Sequence, residues 1–392
     1  MRKNVAVLVV LVACLAAGVA GADIVFTPLT FPDARSAALG GTHVALADDI
    51  SVLVTNPAGF QAAGPQFIAA DITANLSGPV FSIADLVMKI MGGADPTTLI
   101  SDPDVQKLLT SLYASAVLNG PLALGYVGNG LGFGFFNSSG LTFTTVGTIP
   151  TMTAAVQENL EFVAGYSFRV PLPAEAQSTL DLGLSVKAFT SGSVEVSESI
   201  LNMISILSSG DISSLLSQPF NLDVGFGIDS GIRYSWNDTI AVGVVGRNLF
   251  APVVRNTYSS IMGFSGGETP VQSYGYEPID LSAGIMYSPH FEFLDRYISS
   301  LKLMLDYNDI LDFLTHPSTA TNPILHVSAG VEITMLQILA LRGGFGDGYF
   351  AAGLGLNLTA FRFNVSMYGS ELSTEPGLRP AYNLLVGMQY IY

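Results

Sequence analysis

The sequence predicts an all-β protein: a transmembrane antiparallel β-barrel of about fourteen strands, with an N-terminal segment inside the lumen and helices in its external loops. Three observations predict it. The chain is very apolar, yet no stretch beyond its first residues could form a membrane helix. Its hydrophobic residues recur with a period of two. Its connections alternate between long and short.

Composition comes first. The chain has 392 residues, a mean hydropathy of +0.48 and only 12% charged residues. A soluble domain carries about 25%. After residue 22 no uninterrupted apolar run reaches the ~18 residues of a spanning helix. In lipid every backbone N–H and C=O must be paired within the protein, so only helices and closed barrels cross. With helices removed, the barrel remains. The net charge of −16 argues against nucleic acid as a partner, because phosphates need a basic surface.

The N-terminus reads as an export leader. Arg2 and Lys3 precede the apolar run Val5 to Ala17, and Ala20-Gly21-Ala22 supplies a small-residue cleavage site. Residues 1–22 are therefore predicted to be a signal peptide. Leu11-Val12-Ala13-Cys14 also fits a lipoprotein box, so a second cleavage position stays open. Cys14 is the only cysteine, which rules out a disulfide framework and thiolate metal sites.

Residues 66–392 are predicted to form the barrel. From Asn221 to Trp236, Leu222, Val224, Phe226, Ile228, Ile232, Tyr234 and Trp236 alternate with Asp223, Gly225, Gly227, Asp229, Gly231 and Arg233. The same alternation runs through Thr179 to Phe189, Leu325 to Ile333 and Ala360 to Tyr368. Large aliphatics and aromatics occupy one face; glycine and charge occupy the other. That is the pattern of a barrel with lipid outside and a polar lumen inside. The connections predicted long are 76–117, 139–157, 193–219, 251–277, 309–323 and 370–380. Those predicted short are Asn129, Asn237-Asp238, Met335 to Gln337 and Thr359. Long external loops and short periplasmic turns place the barrel in the cell outer membrane. Leu141 to Ile149 also fits a strand, which would change the count. The chain ends on Leu384, Val386, Met388, Tyr390 and Tyr392, all on one face. This resembles the C-terminal signal through which barrel assembly machinery recognises its clients.

Between leader and barrel lies 23–65, which is rich in Ala and Gly and fits neither helix nor alternating strand. A fourteen-stranded lumen leaks unless something fills it. This segment is predicted to be that hatch. Its small residues would let backbone approach the wall, and its polar groups would bond lumenal charges such as Asp181, Lys187, Asp223, Arg233, Lys302, Glu332, Arg342 and Arg362. At least one of Asp48 and Asp49 would pair with a lumenal Arg or Lys. The stretch from Ala34 to Phe60 resembles the N-terminal hatch of the FadL-type outer-membrane transporters, in particular the branch with spirochaetal members and PorV-like proteins. The resemblance lies in the Gly40-Gly41 turn, the Ala45 to Asp49 stretch and Asn56-Pro57-Ala58. It implies a monomer that passes long-chain fatty acids or other hydrophobic molecules inward. Entry would be at the external loops, with gating by Gly40, Gly41, Asp48, Asp49, Asn56, Pro57 and Ala58. A PorV-like secretion scaffold and a general porin are the alternatives.

The long loops carry amphipathic helices. Ile83, Leu86, Val87, Ile90 and Met91 fall on one helical face, as do Leu108, Leu109 and Leu112 after Asp102-Pro103. Ile200, Met203, Ile204 and Leu207 repeat the spacing. These faces would either pack together or frame a groove that captures a hydrophobic ligand. The expected partners are thus outer-membrane lipid, a hydrophobic small molecule and the assembly machinery. Enzymatic chemistry is not predicted. The four histidines have no metal-ligand spacing, no nucleophile–base grouping stands out, and no cofactor motif is present. Gly130 to Phe135 mimics a glycine-rich loop but lies within an alternating strand.

Overall fold

A computed structural model describes residues 24–26, 31, 33–93, 98, 102–110, 112–146, 151–209, 213–290, 297–315, 317 and 319–392. The predicted leader lies outside them. Fourteen antiparallel strands close into a barrel. They are β1 (Gln66–Ser77), β2 (Tyr113–Asn119 and Leu124–Gly128), β3 (Leu131–Val146), β4 (Thr151–Val170) and β5 (Ser178–Ser199). β6 (Phe220–Trp236), β7 (Ile240–Phe250 and Pro252–Tyr258), β8 (Val271–Tyr276 and Asp280–Tyr287) and β9 (Ile298–Tyr307) follow. The last are β10 (Val327–Met335), β11 (Leu339–Gly346), β12 (Tyr349–Asn357), β13 (Phe361–Glu371) and β14 (Pro380–Ile391). β14 pairs with β1 from Asn383↔Ser77 to Ile391↔Ile68 and closes the cylinder.

Three strands are written in two pieces for one reason. Pro121, Pro252 and Pro278 stand at the breaks of β2, β7 and β8. Proline has no N–H for the ladder, so pairing stops there and resumes beyond. Both pieces of β2 still pair with β1 and β3, which keeps the wall continuous.

The two faces are sorted as the alternation requires. Leu184, Val186, Ile232 and Met367 point outward and are exposed, whereas Asp181, Asp223, Arg233 and Glu332 point inward and are buried. Tyr166, Phe168, Tyr234, Trp236, Tyr287 and Tyr390 ring the end that carries the short turns. A closed barrel with an apolar belt and an aromatic girdle is an outer-membrane barrel.

The wall is lopsided. β4 and β5 have 20 and 22 residues, but β10, β11 and β12 have 9, 8 and 9. A strand needs about ten residues to cross. The tall side therefore rises well beyond the membrane, and this corrects the loop boundaries read from sequence. The predicted loop 139–157 is mostly strand: β3 runs to Val146 and β4 starts at Thr151. β5 likewise extends to Ser199 and β7 to Tyr258. On β3, β4 and β5 their outward residues meet the loop helices rather than lipid and are in part small, as at Ala154, so the two-fold hydrophobic signal is weaker there.

The loop helices clasp this tall wall from outside. They are α2 (Val80–Met91), α3 (Pro103–Thr110) and α4 (Ile200–Ser209), counted after α1 (Ala34–Ala38) of the N-terminal segment. Leu86, Leu109, Leu112, Ile200 and Met203 bury themselves with Ala114, Met152, Ala154 and Val196. On β4 and β5 the lumen is lined by alternate residues such as Gln157, Asn159 and Ser193, so Met152, Ala154 and Val196 belong to the outward set.

Candidate functional site

The site is the lumen, and the N-terminal segment is its main occupant. Asp33 caps α1 by accepting the Ser36 N–H at 2.8 Å. The helix ends at Gly40 and Gly41, with φ of +67° and +86°. A Cβ on Gly40 would lie 2.3 Å from the Phe345 carbonyl oxygen, so only glycine allows this turn to touch β11. The wall reciprocates, because a Cβ on Gly344 would lie 2.2 Å from the Gly40 nitrogen. Next, the His43 and Val44 N–H groups donate to one carboxylate oxygen of Asp306 at 2.7 and 2.9 Å. The His43 Nδ1 sits 2.5 Å from the Gly41 carbonyl, which makes it the donor and leaves Nε2 to accept from Arg247 at 3.1 Å. Burial and the adjacent Arg247 push the His43 imidazole down to about 4.

Asp49 caps a short 3-10 helix, Ile50–Leu53, through the Ser51 N–H at 2.9 Å. Asn56 caps the next, Pro57–Gln61. Its Oδ1 accepts the Ala58 N–H at 3.0 Å and its Nδ2 donates to the Val44 carbonyl at 2.8 Å. This knot presses on the opposite wall. A Cβ on Gly183 would meet the Pro57 carbonyl carbon at 2.2 Å, and one on Gly231 would meet Asn56 Oδ1 at 1.9 Å. Ile50, Val52, Leu53 and Phe60 fill the space between with Ile68, Val127 and Val163 of the wall.

One ionic network ties the segment to the short side of the barrel. Arg35 Nη1 donates to Asp48 at 2.7 Å and to Asp49 at 2.5 Å, and its Nε and Nη2 form a two-pronged contact with Glu332 at 2.8 and 2.6 Å. Glu332 also accepts from Arg342 at 2.7 Å, and Lys302 pairs with both Asp48 and Glu332. Three cations thus balance three carboxylates. Burial alone would raise the Asp48 carboxyl, but Arg35 and Lys302 hold it well below the usual carboxylate range.

Of the residues expected to gate, Gly40, Gly41, Asp48, Asp49, Asn56, Pro57 and Ala58 all make these contacts. The sequence reasoning missed Arg35, which joins Asp48 and Asp49 to Glu332. Arg35 is the only Lys or Arg between 23 and 65, and that was the available signal. Of the lumenal charges expected to meet the segment, Lys302 and Glu332 do, and Arg233 donates to the Ala45 carbonyl at 3.0 Å. Arg362 reaches Gln66 beyond it, at 3.2 Å. Asp181 and Asp223 instead pair along the wall with Arg169 and Arg255.

The expected capture residues come together, but as a packed cluster. Leu86, Leu109, Leu112, Ile200 and Met203 are buried and Ile83 is half-buried. The side chains of Val87, Ile90, Met91, Leu108, Ile204 and Leu207 lie outside those described. On α2 the exposed large side chains are Phe81 and Met88.

Two chambers lie above the segment. The outer, about 620 Å³, is polar, with Asn75, Ser115, Gln157 and Ser191 in its wall. The inner, about 540 Å³, has the segment as its floor and a more apolar lining that includes Phe31, Leu53, Val54 and Val163. Phe26, at the end of a two-residue strand paired with β8, packs on Phe189 and Val253 beside the outer chamber.

No family model matches the chain, and none of the curated proteins does. Solved structures that share the barrel include the Pseudomonas putida toluene transporter TodX, at 13% identity over 94% of this chain and 99% of that one (TM-score 0.45). The Ralstonia pickettii toluene transporter TbuX is 12% identical over 94% and 98%, with a TM-score of 0.48. A Pseudomonas aeruginosa FadL homologue is 11% identical over 94% and 99%, with a TM-score of 0.44. At these scores the barrel assignment rests on the chain's own strand pairing.

Proposed function

We propose that this barrel passes hydrophobic molecules across the outer membrane, with residues 33–65 as a plug that must shift to let them through. One observation carries the reading. The inner chamber joins an apolar lining to a floor made of the plug, and the plug is held by reversible contacts: hydrogen bonds, ion pairs and glycine-to-backbone packing. A hydrophobic solute resting there would gain ~0.8 kcal/mol per buried CH₂, enough in sum to bias a plug held by a few such contacts.

The finer reading, a long-chain fatty acid, comes from the resemblance of the N-terminal segment. A carboxylate head would have Lys187 and Arg247 as the cations of the inner chamber. Both already face carboxylates, which weakens that reading against an uncharged hydrophobe. Capture at the loop helices would require the cluster around Leu112 and Met203 to part.

The test is uptake into proteoliposomes of a labelled fatty acid and of a neutral aromatic hydrocarbon, with wild type and with Asn56→Ala. Protein-dependent uptake altered by Asn56→Ala supports the proposal. No protein-dependent uptake of either solute removes it. Intact protein that conducts ions as a wide open pore would point to a porin.

A further inference from the structure

The head group that the inner chamber selects can be read from Glu161. This residue sits on β4, inward-facing and 6% exposed, and it lines the 540 Å³ chamber. Among the described residues it makes no hydrogen bond and no ion pair. A buried carboxylate without a donor is costly, and native structures normally supply one. The nearest charges do not relieve it. Lys187 is 3.7 Å from Asp229 and 3.9 Å from Glu277, so one ammonium already stands between two carboxylates. With Glu161 the group holds three acids and one base. Two other chamber residues, Asn248 and Asn308, each keep a buried side-chain oxygen without a donor. The site is therefore rich in acceptors and short of donors.

From this we infer that the chamber binds a hydrophobic amine: an organic cation whose ammonium is received by Glu161 while its apolar body lies along Phe31, Leu53, Val54 and Val163. The balance of charge argues for it. With every acid ionised, the four groups sum to two negative charges. A bound ammonium halves that excess, whereas a bound carboxylate raises it by half again, in a site where screening by water and salt is weak. An ammonium also supplies three donors, which suits a wall of unfilled acceptors. A neutral alcohol supplies one donor and no charge, so it ranks between the two. The inference rests on the transport reading for its biological meaning but not for its chemistry, because binding can be measured without flux.

The experiment is calorimetric titration of the full-length protein in lipid nanodiscs with octylamine, octanol and octanoate. Empty nanodiscs correct for partition into lipid. Octylamine is expected to bind saturably at one site, octanol more weakly and octanoate not at all. Glu161→Gln keeps the shape and removes the charge. It should weaken octylamine by about tenfold or more, the scale of one charge-assisted hydrogen bond. Glu161→Ala should do the same. Both variants should keep the heat-modifiable gel shift of a folded barrel. Octanoate or octanol binding as tightly as octylamine would overturn the inference, as would octylamine affinity unchanged in both variants. Uptake of the neutral hydrocarbon separates the two claims. Flux without amine binding sinks this inference alone, whereas amine binding without flux supports it and sinks only the transport reading.

Discussion

Replacing Arg35 by methionine should unseat the plug without unfolding the barrel. Methionine keeps much of the length and none of the charge. Arg35 is 12% exposed at its side chain and reaches three carboxylates, Asp48, Asp49 and Glu332, at 2.5–2.9 Å. Without it those acids share only Lys302 and Arg342. Breaking a buried ion pair from one side costs about 3–5 kcal/mol. Asp48 is 36% exposed at its side chain, so water recovers part of its share and the low end, about 3 kcal/mol, is the better figure. That shifts the seated-to-unseated ratio by roughly a hundredfold. The assay is conductance in planar bilayers. Wild type should be nearly silent, and Arg35→Met should show frequent wide openings. Adding Glu332→Gln removes one of the stranded charges and should close part of that gap. The barrel's heat-modifiable gel shift should not change, because strand pairing does not pass through Arg35. If Arg35→Met stays as silent as wild type and its residues 33–65 stay as protease-resistant, the ionic network does not hold the plug.

Three further outcomes are expected. Gly344→Ala places a methyl 2.2 Å from the Gly40 nitrogen, so it should open conductance as Arg35→Met does, by steric displacement that high salt leaves unchanged. His43 is neutral when seated and titrates at about 4, against about 6.5 in an unfolded chain. Its contribution is complete above pH 6.5 and is lost as pH falls towards 4, on the order of 3 kcal/mol in all; His43→Gln should flatten the acid-side rise in conductance across that window. Phe81→Trp in a Trp236→Phe background should be quenched by lipids brominated near the head group, because α2 starts at Val80, just past the end of the 12-residue β1 at Ser77, and a strand of that length little more than crosses the membrane. Quenching by aqueous iodide alone would place the helix away from the membrane.

What was legible in the sequence is what a solvent boundary writes at fixed spacing. Lipid on one side and lumen on the other impose a period of two. Leu184, Val186 and Ile232 could therefore be sorted from Asp181 and Arg233, and fourteen strands could be found. The tall extensions of β3, β4, β5 and β7 were not legible as strand, since their outward residues, such as Ala154 and Val196, meet loop helices where the rest of the wall meets lipid. The helices α2–α4 were legible as amphipathic, but amphipathicity says that a face is buried and not against what. Their partners, Met152, Ala154 and Val196, lie on strand ends first read as loop. The segment's motif was visible from Gly40 to Ala58, and so were the lumenal charges able to meet it, but not which of them would pair with which residue. Arg35 and Glu332 lie 297 positions apart, and no local pattern marks two residues that meet only when the barrel closes.

The inward face of the wall nevertheless carries a record of the plug's depth. Where the segment touches, the inward residue is repeatedly glycine, as at Gly183, Gly231, Gly243, Gly330, Gly344 and Gly353, and an added Cβ there would strike residues 38–57. Above that level the inward residues change to Asn75, Ser115, Ser138, Thr142, Gln157 and Asn159. Both sets satisfy a strand next to a polar lumen, so lumen polarity does not explain the switch. Contact does: water needs hydrogen-bonding side chains, and a backbone packed on a backbone needs their absence. An open pore has no reason to replace its lumenal side chains with glycine, which weakens every strand that carries it. Those glycines weaken the strands that carry them, and the packing of residues 33–65 against them offsets that cost. A lumen lined in this way fits the proposed plug, whose removal would leave those strands with the cost of glycine and without the contact.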